Sequence, residues 1–347
     1  MAAIDQPYGP LMVGLVGERL AEDESEMLRH PGVGGVILFS RNYSSRPQLR
    51  MLCDAIHALR QPPLPIGVDH EGGRVQRFKE GFSTLPAAAH YGMRYDIDRG
   101  QGRRVAQAGG RVMAAELRAA GVDFSFSPVL DIDHGKSQVI GDRAFHRDPE
   151  VVSVLARAFL AGMREAGMAG VGKHFPGHGG VAEDSHRDLP VDRRTLGDIR
   201  MSDLLPFERL IASGDLTGVM AAHIVFDRLD ESPAGFSRYW IGDILRNELG
   251  FEGPVFSDDL DMGGVTGFGD HVARTEAALE AGCDMALICN DPAGAARVLD
   301  RLDLEPHPRR STRIARMQGS KPSDPASLEK NIPYRSALEE LKSSLSL

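Results

Sequence analysis

Leu64-Pro65-Ile66-Gly67-Val68-Asp69-His70-Glu71-Gly72-Gly73 is a short apolar run that closes on an acid and then turns on two glycines. A strand covered on both faces reads as continuous apolar residues, so residues 64–68 are expected to form a buried strand with Asp69 at its end. The same grammar recurs at 11–16, 33–39, 124–130, 169–171, 218–224, 254–256 and 285–288, which makes eight runs in all. Amphipathic segments lie between them, near 21–29, 46–60, 101–120, 149–167, 195–213, 238–249, 270–281 and 292–302. Several close on a glycine, at Gly121, Gly214 and Gly250, as a left-handed helix cap requires.

Eight strand-then-helix units in about 250 to 300 residues predict an α/β fold, a single (β/α)8 TIM-type barrel. An open, doubly wound sheet is the alternative. The polar residues that end the runs separate the two: Asp69, Asp131, Lys173 with His174, His223, Asp258 and Asn290. A barrel gathers all of these strand ends on one face, the face on which barrel enzymes carry their active sites. Taken singly, Asp131 and Asn290 read as satisfied polar strand ends. Beyond residue 302 the character changes, with Pro306, Pro308, Pro322 and Pro325 among many charges. The expected organisation is a barrel domain over 1–302 and a polar C-terminal tail over 303–347, with one short helix at 336–342.

Composition narrows the function. The 347 residues carry 40 Lys plus Arg against 49 Asp plus Glu, a formal charge of -9. That balance argues against a nucleic-acid partner, which needs a basic face to displace counterions from phosphates. Cys53, Cys283 and Cys289 sit singly in apolar surroundings, as buried reduced thiols do. The first residues lack a basic leader, and the run at 11–16 is too short for a membrane span, so a cytoplasmic protein is expected.

Four stretches could carry chemistry. Asp69 to Arg77 puts carboxylates and guanidiniums in one short loop, suited to a polyhydroxylated ligand because Asp accepts from vicinal hydroxyls and Arg donates in a fixed fork. A structural ion-pair network fits the same residues. Gly141-Asp142-Arg143-Ala144-Phe145 offers a further guanidinium. Lys173-His174-Phe175-Pro176-Gly177-His178-Gly179-Gly180 sets two cationic groups at a strand end and leads to Asp184-Ser185-His186. Its histidines could suggest a metal, but the spacings match no common ligand motif, and Gly17-Glu18-Arg19 stands where barrel metallohydrolases need paired histidines. As acid-base chemistry, Asp184 would orient the His186 ring and favour its protonated form. Finally, 255–262 ends a strand with Asp258, Asp259 and Asp261. Neighbouring strand residues face opposite ways, so in a regular strand Asp258 and Asp259 cannot both reach the barrel mouth. The residues alone leave open which one would act.

Together, the motifs at 69–77, 141–145, 173–179, 184–186 and 256–259 resemble glycoside hydrolase family 3, and within it the bacterial single-domain β-N-acetylglucosaminidases (β-hexosaminidases) of peptidoglycan recycling. The resemblance covers residues 11–302. It implies Asp258 as nucleophile, His186 as acid/base with Asp184 as its partner, and Asp69, Arg77, Arg143, Lys173 and His174 around the sugar. It further implies retaining hydrolysis of a terminal β-linked N-acetylglucosamine from cytoplasmic muropeptides, with no metal or organic cofactor; a monomer is expected. Phosphate in place of water as acceptor is the alternative, since a neutral imidazole repels it less than a carboxylate would. Gly177, Gly179 and Gly180 free the backbone of the 175–190 loop, which is expected to move and to bring His186 to the bound sugar.

Overall fold

The computed structural model describes residues 4–183, 185, 188–304, 307–320 and 325–345. Eight parallel strands close into a barrel. They are β1 (Leu11–Gly14), β2 (Val33–Leu38), β3 (Ile66–Val68), β4 (Phe124–Ser125), β5 (Ala169–Phe175), β6 (Gly218–Ala221), β7 (Val255–Asp259) and β8 (Met285–Ile288). Each falls on one of the eight apolar runs. Every strand pairs with the next in sequence, and Leu287 opposite Met12 joins β8 to β1 and closes the ring.

The lumen is filled, not open. Phe124 and Phe126 follow β3 around the ring, while Phe256 belongs to β7, three strands further on. Their rings nevertheless meet at 5.8 and 5.2 Å between centroids, which is possible only across the barrel interior. Gly67 makes room for this packing, since a Cβ there would lie 2.6 Å from the Phe124 ring. Such aromatic pairs add attraction beyond the area they bury.

The expected helical segments form around this core, the one at 195–213 as two helices, Leu196–Arg200 and Leu205–Ala212. Gly121, Gly214 and Gly250 adopt φ of 93°, 69° and 67°, the left-handed conformation that lets the chain leave a helix. The periodic pattern missed a helix at Ala88–Ile97, packed against the long helix Arg99–Ala119. No helix among the described residues is long and apolar enough to cross a membrane.

The last segment differs from the polar tail with one short helix that its charges suggested. It forms helices at Pro308–Ala315, Pro325–Leu328 and Ile332–Leu345. Ile314, Met317, Leu328 and Leu341 are buried, and Tyr334 Oη donates to Glu116 Oε1 of the long helix at 2.7 Å. Its apolar residues recur at helical spacing between charges, and this sparse stripe is enough to dock it.

Candidate active site

At the C-terminal ends of the strands lies a cleft of about 720 Å³. Asp69, Arg77, Arg143, Lys173, His174 and Asp258 all line it. Asp184 and His186, and with them part of the loop expected to move, lie outside the described residues. Ser185 between them does line the cleft; His178 Nε2 lies 3.0 Å from its Oγ, and the Gly264 N–H donates to its carbonyl at 3.1 Å.

Beyond β3 the chain makes a tight hairpin, His70–Gly72 against Val75–Gln76, turning at Gly72 with φ 107°. A side chain at Gly72 would have to adopt that φ with its Cβ 2.3 Å from the Pro86 carbonyl, so only glycine fits. The hairpin sends Asp69 and Glu71, two residues apart, toward one ammonium. Lys173 Nζ lies 2.7 Å from Asp69 Oδ1 and 2.7 Å from Glu71 Oε1. Arg143, on the turn Gly141–Arg143, meets Glu71, and Arg77 approaches Asp69 at 3.4 Å while lying over the Phe39 ring. Burial alone would push the two carboxyls up; Lys173 and Arg77 instead hold Asp69 below its ordinary value, and Arg143 and Lys173 hold Glu71 far below. Burial would likewise lower the Lys173 ammonium, but Asp69 and Glu71 keep it above its usual value. The cluster is therefore ionised across the neutral range. Its parts are the ion-pair network and the hydroxyl-binding loop at once, since the side chains that neutralise one another also face the cleft.

Asp131, after β4, is fully buried and organises the neighbouring wall. Its Oδ2 lies 2.6 Å from His174 Nδ1, and its Oδ1 accepts the His178 N–H at 2.6 Å. Burial would raise its carboxyl, yet the two histidines hold it below the normal value. Tied through Nδ1, the His174 ring turns its other edge to the cleft. Burial and the nearby His174 push the His178 imidazole down. His223, another polar strand end, is completely buried, its imidazole lowered by burial, and takes no place in the cleft lining. Among the described residues no group of three His, Cys, Asp or Glu side chains is arranged to hold a metal ion.

The end of β7 corrects the assumption of a regular strand. Phe256 pairs with Met285 but Asp259 pairs with Leu287, so three steps along β7 oppose two along β8. This extra residue is a bulge, which re-aims side chains at a strand end. As a result Asp258 and Asp259 both line the cleft. They are not equivalent. Asp259 accepts from the Asp261 N–H at 3.0 Å and from Asn290 Nδ2 at 3.0 Å, and burial together with the Asp261 charge pushes its carboxyl up. Asp258 Oδ1 receives the Asp259 N–H at 2.9 Å. Asp259 and Asn290, both noted as polar strand ends, also line the cleft, and with them Glu71, His178, Ser185 and Phe39, for which the sequence motifs implied no role. For Glu71 the signal was present: it stands two positions after Asp69 in extended chain, on the same side.

A filled (β/α)8 barrel whose mouth sets carboxylates, a lysine, arginines and histidines around one polar cleft is suited to a polyhydroxylated ligand. The chain belongs to glycoside hydrolase family 3: residues 4–318 match the description "Glycosyl hydrolase family 3 N terminal domain". It is 60% identical over 313 residues to a protein of Thioalkalivibrio sulfidiphilus named Beta-hexosaminidase, covering 90% of each chain. A protein of the same name from Nitrosospira multiformis is 51% identical over 334 residues, 96% of this chain and 95% of that one. Among solved structures, native NagZ from Neisseria gonorrhoeae superposes with a TM-score of 0.93 at 42% identity, covering 99% of both chains. The same enzyme in complex with N-trifluoroacetyl-D-glucosamine matches with a TM-score of 0.92 at 42% identity over 99% of both chains.

Proposed function

We propose that the protein is a retaining β-N-acetylglucosaminidase that releases terminal N-acetylglucosamine from muropeptides in peptidoglycan recycling in the cytoplasm. The observation that carries this reading is the bulged end of β7, which presents Asp258 to a cleft whose opposite wall is the Asp69–Lys173–Glu71–Arg143 cluster. Relatives named β-hexosaminidase and a solved relative holding an N-acylated glucosamine support the sugar class.

Asp258 attacks the anomeric carbon while protonated His186, oriented by Asp184, delivers a proton to the departing oxygen, and a glycosyl-aspartate forms. Neutral His186 then takes a proton from water, which attacks the same carbon and restores the configuration. Asp69, Arg77, Arg143, Lys173 and His174 hold the sugar. A histidine in place of the second carboxylate avoids placing two like charges together. The test compares a chromogenic N-acetylglucosaminide with the matching glucoside, and a muropeptide bearing anhydro-N-acetylmuramic acid with simple chitooligosaccharides. The reading expects much larger kcat/KM for the acetamido sugar. Equal values would overturn it, and accumulation of sugar 1-phosphate in phosphate buffer would make the enzyme a phosphorylase instead.

A further inference from the structure

Two acids leave the barrel into the cleft, Asp69 at the end of β3 and Asp258 at the end of β7, and a buried serine hydroxyl stands behind each. Ser257 has no exposed surface. Its Oγ accepts the N–H of Leu287 on β8 at 3.0 Å and donates to the Asp258 carbonyl at 2.7 Å. This is the place where the bulge takes β7 out of step with β8, so a side chain replaces a ladder bond that the backbone no longer makes. Ser125 of β4, also without exposed surface, does the same beside β3. Its Oγ accepts the His70 N–H at 3.1 Å and faces the Val68 and His70 carbonyls at 3.2 and 3.1 Å, the residues on either side of Asp69. Neither serine lines the cleft.

We propose that Ser257 and Ser125 are positioning residues with separate duties: Ser257 sets the backbone from which Asp258 attacks, and Ser125 sets the backbone from which Asp69 holds the sugar. This deepens the hydrolase reading given above and rests on it. A buried hydroxyl with a donor and an acceptor partner leaves both unpaired when removed, and relaxation of the backbone then moves the acid it supports. Small displacements of a reacting group cost far more in rate than in binding.

The experiment measures kcat, KM and inactivation by a 5-fluoro N-acetylglucosaminyl fluoride in Ser257→Ala and Ser125→Ala, after the label has been mapped in the unaltered enzyme. Ser257→Ala is expected to lower kcat and the maximal inactivation rate by about tenfold, with KM for N-acetylglucosaminide and inhibition by N-acetylglucosamine nearly unchanged. Ser125→Ala is expected to raise KM and weaken that inhibition by a similar factor while kcat holds. If the two variants lose thermal stability but show the same kinetics as the unaltered enzyme, or if both change kcat and KM alike, the division of duties is overturned. Should either fail to fold, Ser257→Cys and Ser125→Cys, which nearly keep the volume and weaken the bonds, carry the same expectations. Label found elsewhere than Asp258 in the unaltered enzyme would count against the hydrolase reading itself.

Discussion

Glu71 takes hold of Arg143 with both carboxylate oxygens, Oε2 with Nε and Oε1 with Nη2, each at 2.8 Å, while its Oε1 also meets Lys173. Bidentate, nearly buried pairs of this kind are costly to break, because the surviving charge is left without a partner. Glu71→Gln keeps the shape and removes the charge that balances two cations. It is expected to destabilise the fold by about 3 kcal/mol, near the lower end for a broken buried pair, and to raise KM. Urea unfolding and steady-state kinetics on one preparation check both.

The same cluster sets a pH window for stability. Asp69 and Glu71 have folded values below their unfolded ones, so their contribution is present above about pH 4 and is lost as pH falls. Lys173 has a folded value above its unfolded one, so its contribution is present below about pH 10 and is lost as pH rises further. The cluster's contribution to the unfolding free energy, read as the difference between the unaltered protein and Glu71→Gln, should therefore hold level between these limits and fall outside them, while the buried His178, His223 and Asp259 add their own pH dependence in between. In Glu71→Gln the acid-side loss should shrink, and an unchanged acid limb would show that the network does not stabilise the fold.

Asp131 supports His174 at 2.6 Å from complete burial. Asp131→Asn should leave the barrel folded but release the His174 ring, lowering kcat/KM for the N-acetylglucosaminide about ten- to a hundredfold, the equivalent of one charged hydrogen bond. A His174→Ala change made on top of Asp131→Asn should add little, since the two act as one unit. Full additivity would separate them.

Much of this was legible in the sequence. Strands buried on both faces announced themselves as continuous apolar runs, and the polar residues that ended them, Asp69, Lys173, His174 and Asp258, proved to share one cleft. Three features were hidden for physical reasons. The bulge at β7 involves no unusual residue, because Ser257 and Asp259 look like ordinary strand-end polar side chains until the neighbouring strand shows what they replace. The docked C-terminal helices carry only a few apolar residues among their charges, so they read as solvent-exposed. Glu71 could have been taken from the two-residue period of the hairpin, whereas the use of Asp131 to hold a histidine 43 residues away in sequence depends on β4 and β5 being neighbours.

The C-terminal segment provides a further check. Leu341 is almost fully buried and Tyr334 reaches Glu116, which also holds Ser83 and Arg46. Leu341→Ala should cost about 2 to 4 kcal/mol as a buried large-to-small change, and Tyr334→Phe about 1 kcal/mol. Denaturant titration of each variant would reveal whether the segment belongs to the cooperative unit of the barrel; losses near zero would mark it as an independent appendage.

Covalent attachment of the sugar to Asp258 is measured most simply by peptide mapping after trapping with a 5-fluoro N-acetylglucosaminyl fluoride. One labelled peptide is expected, with the sugar on Asp258, and no label and no turnover in Asp258→Asn, because only a carboxylate there can make the ester. Label on Asp259, or turnover that persists in Asp258→Asn with no protein label at all, as attack by the substrate's own acetamide would give, would contradict it.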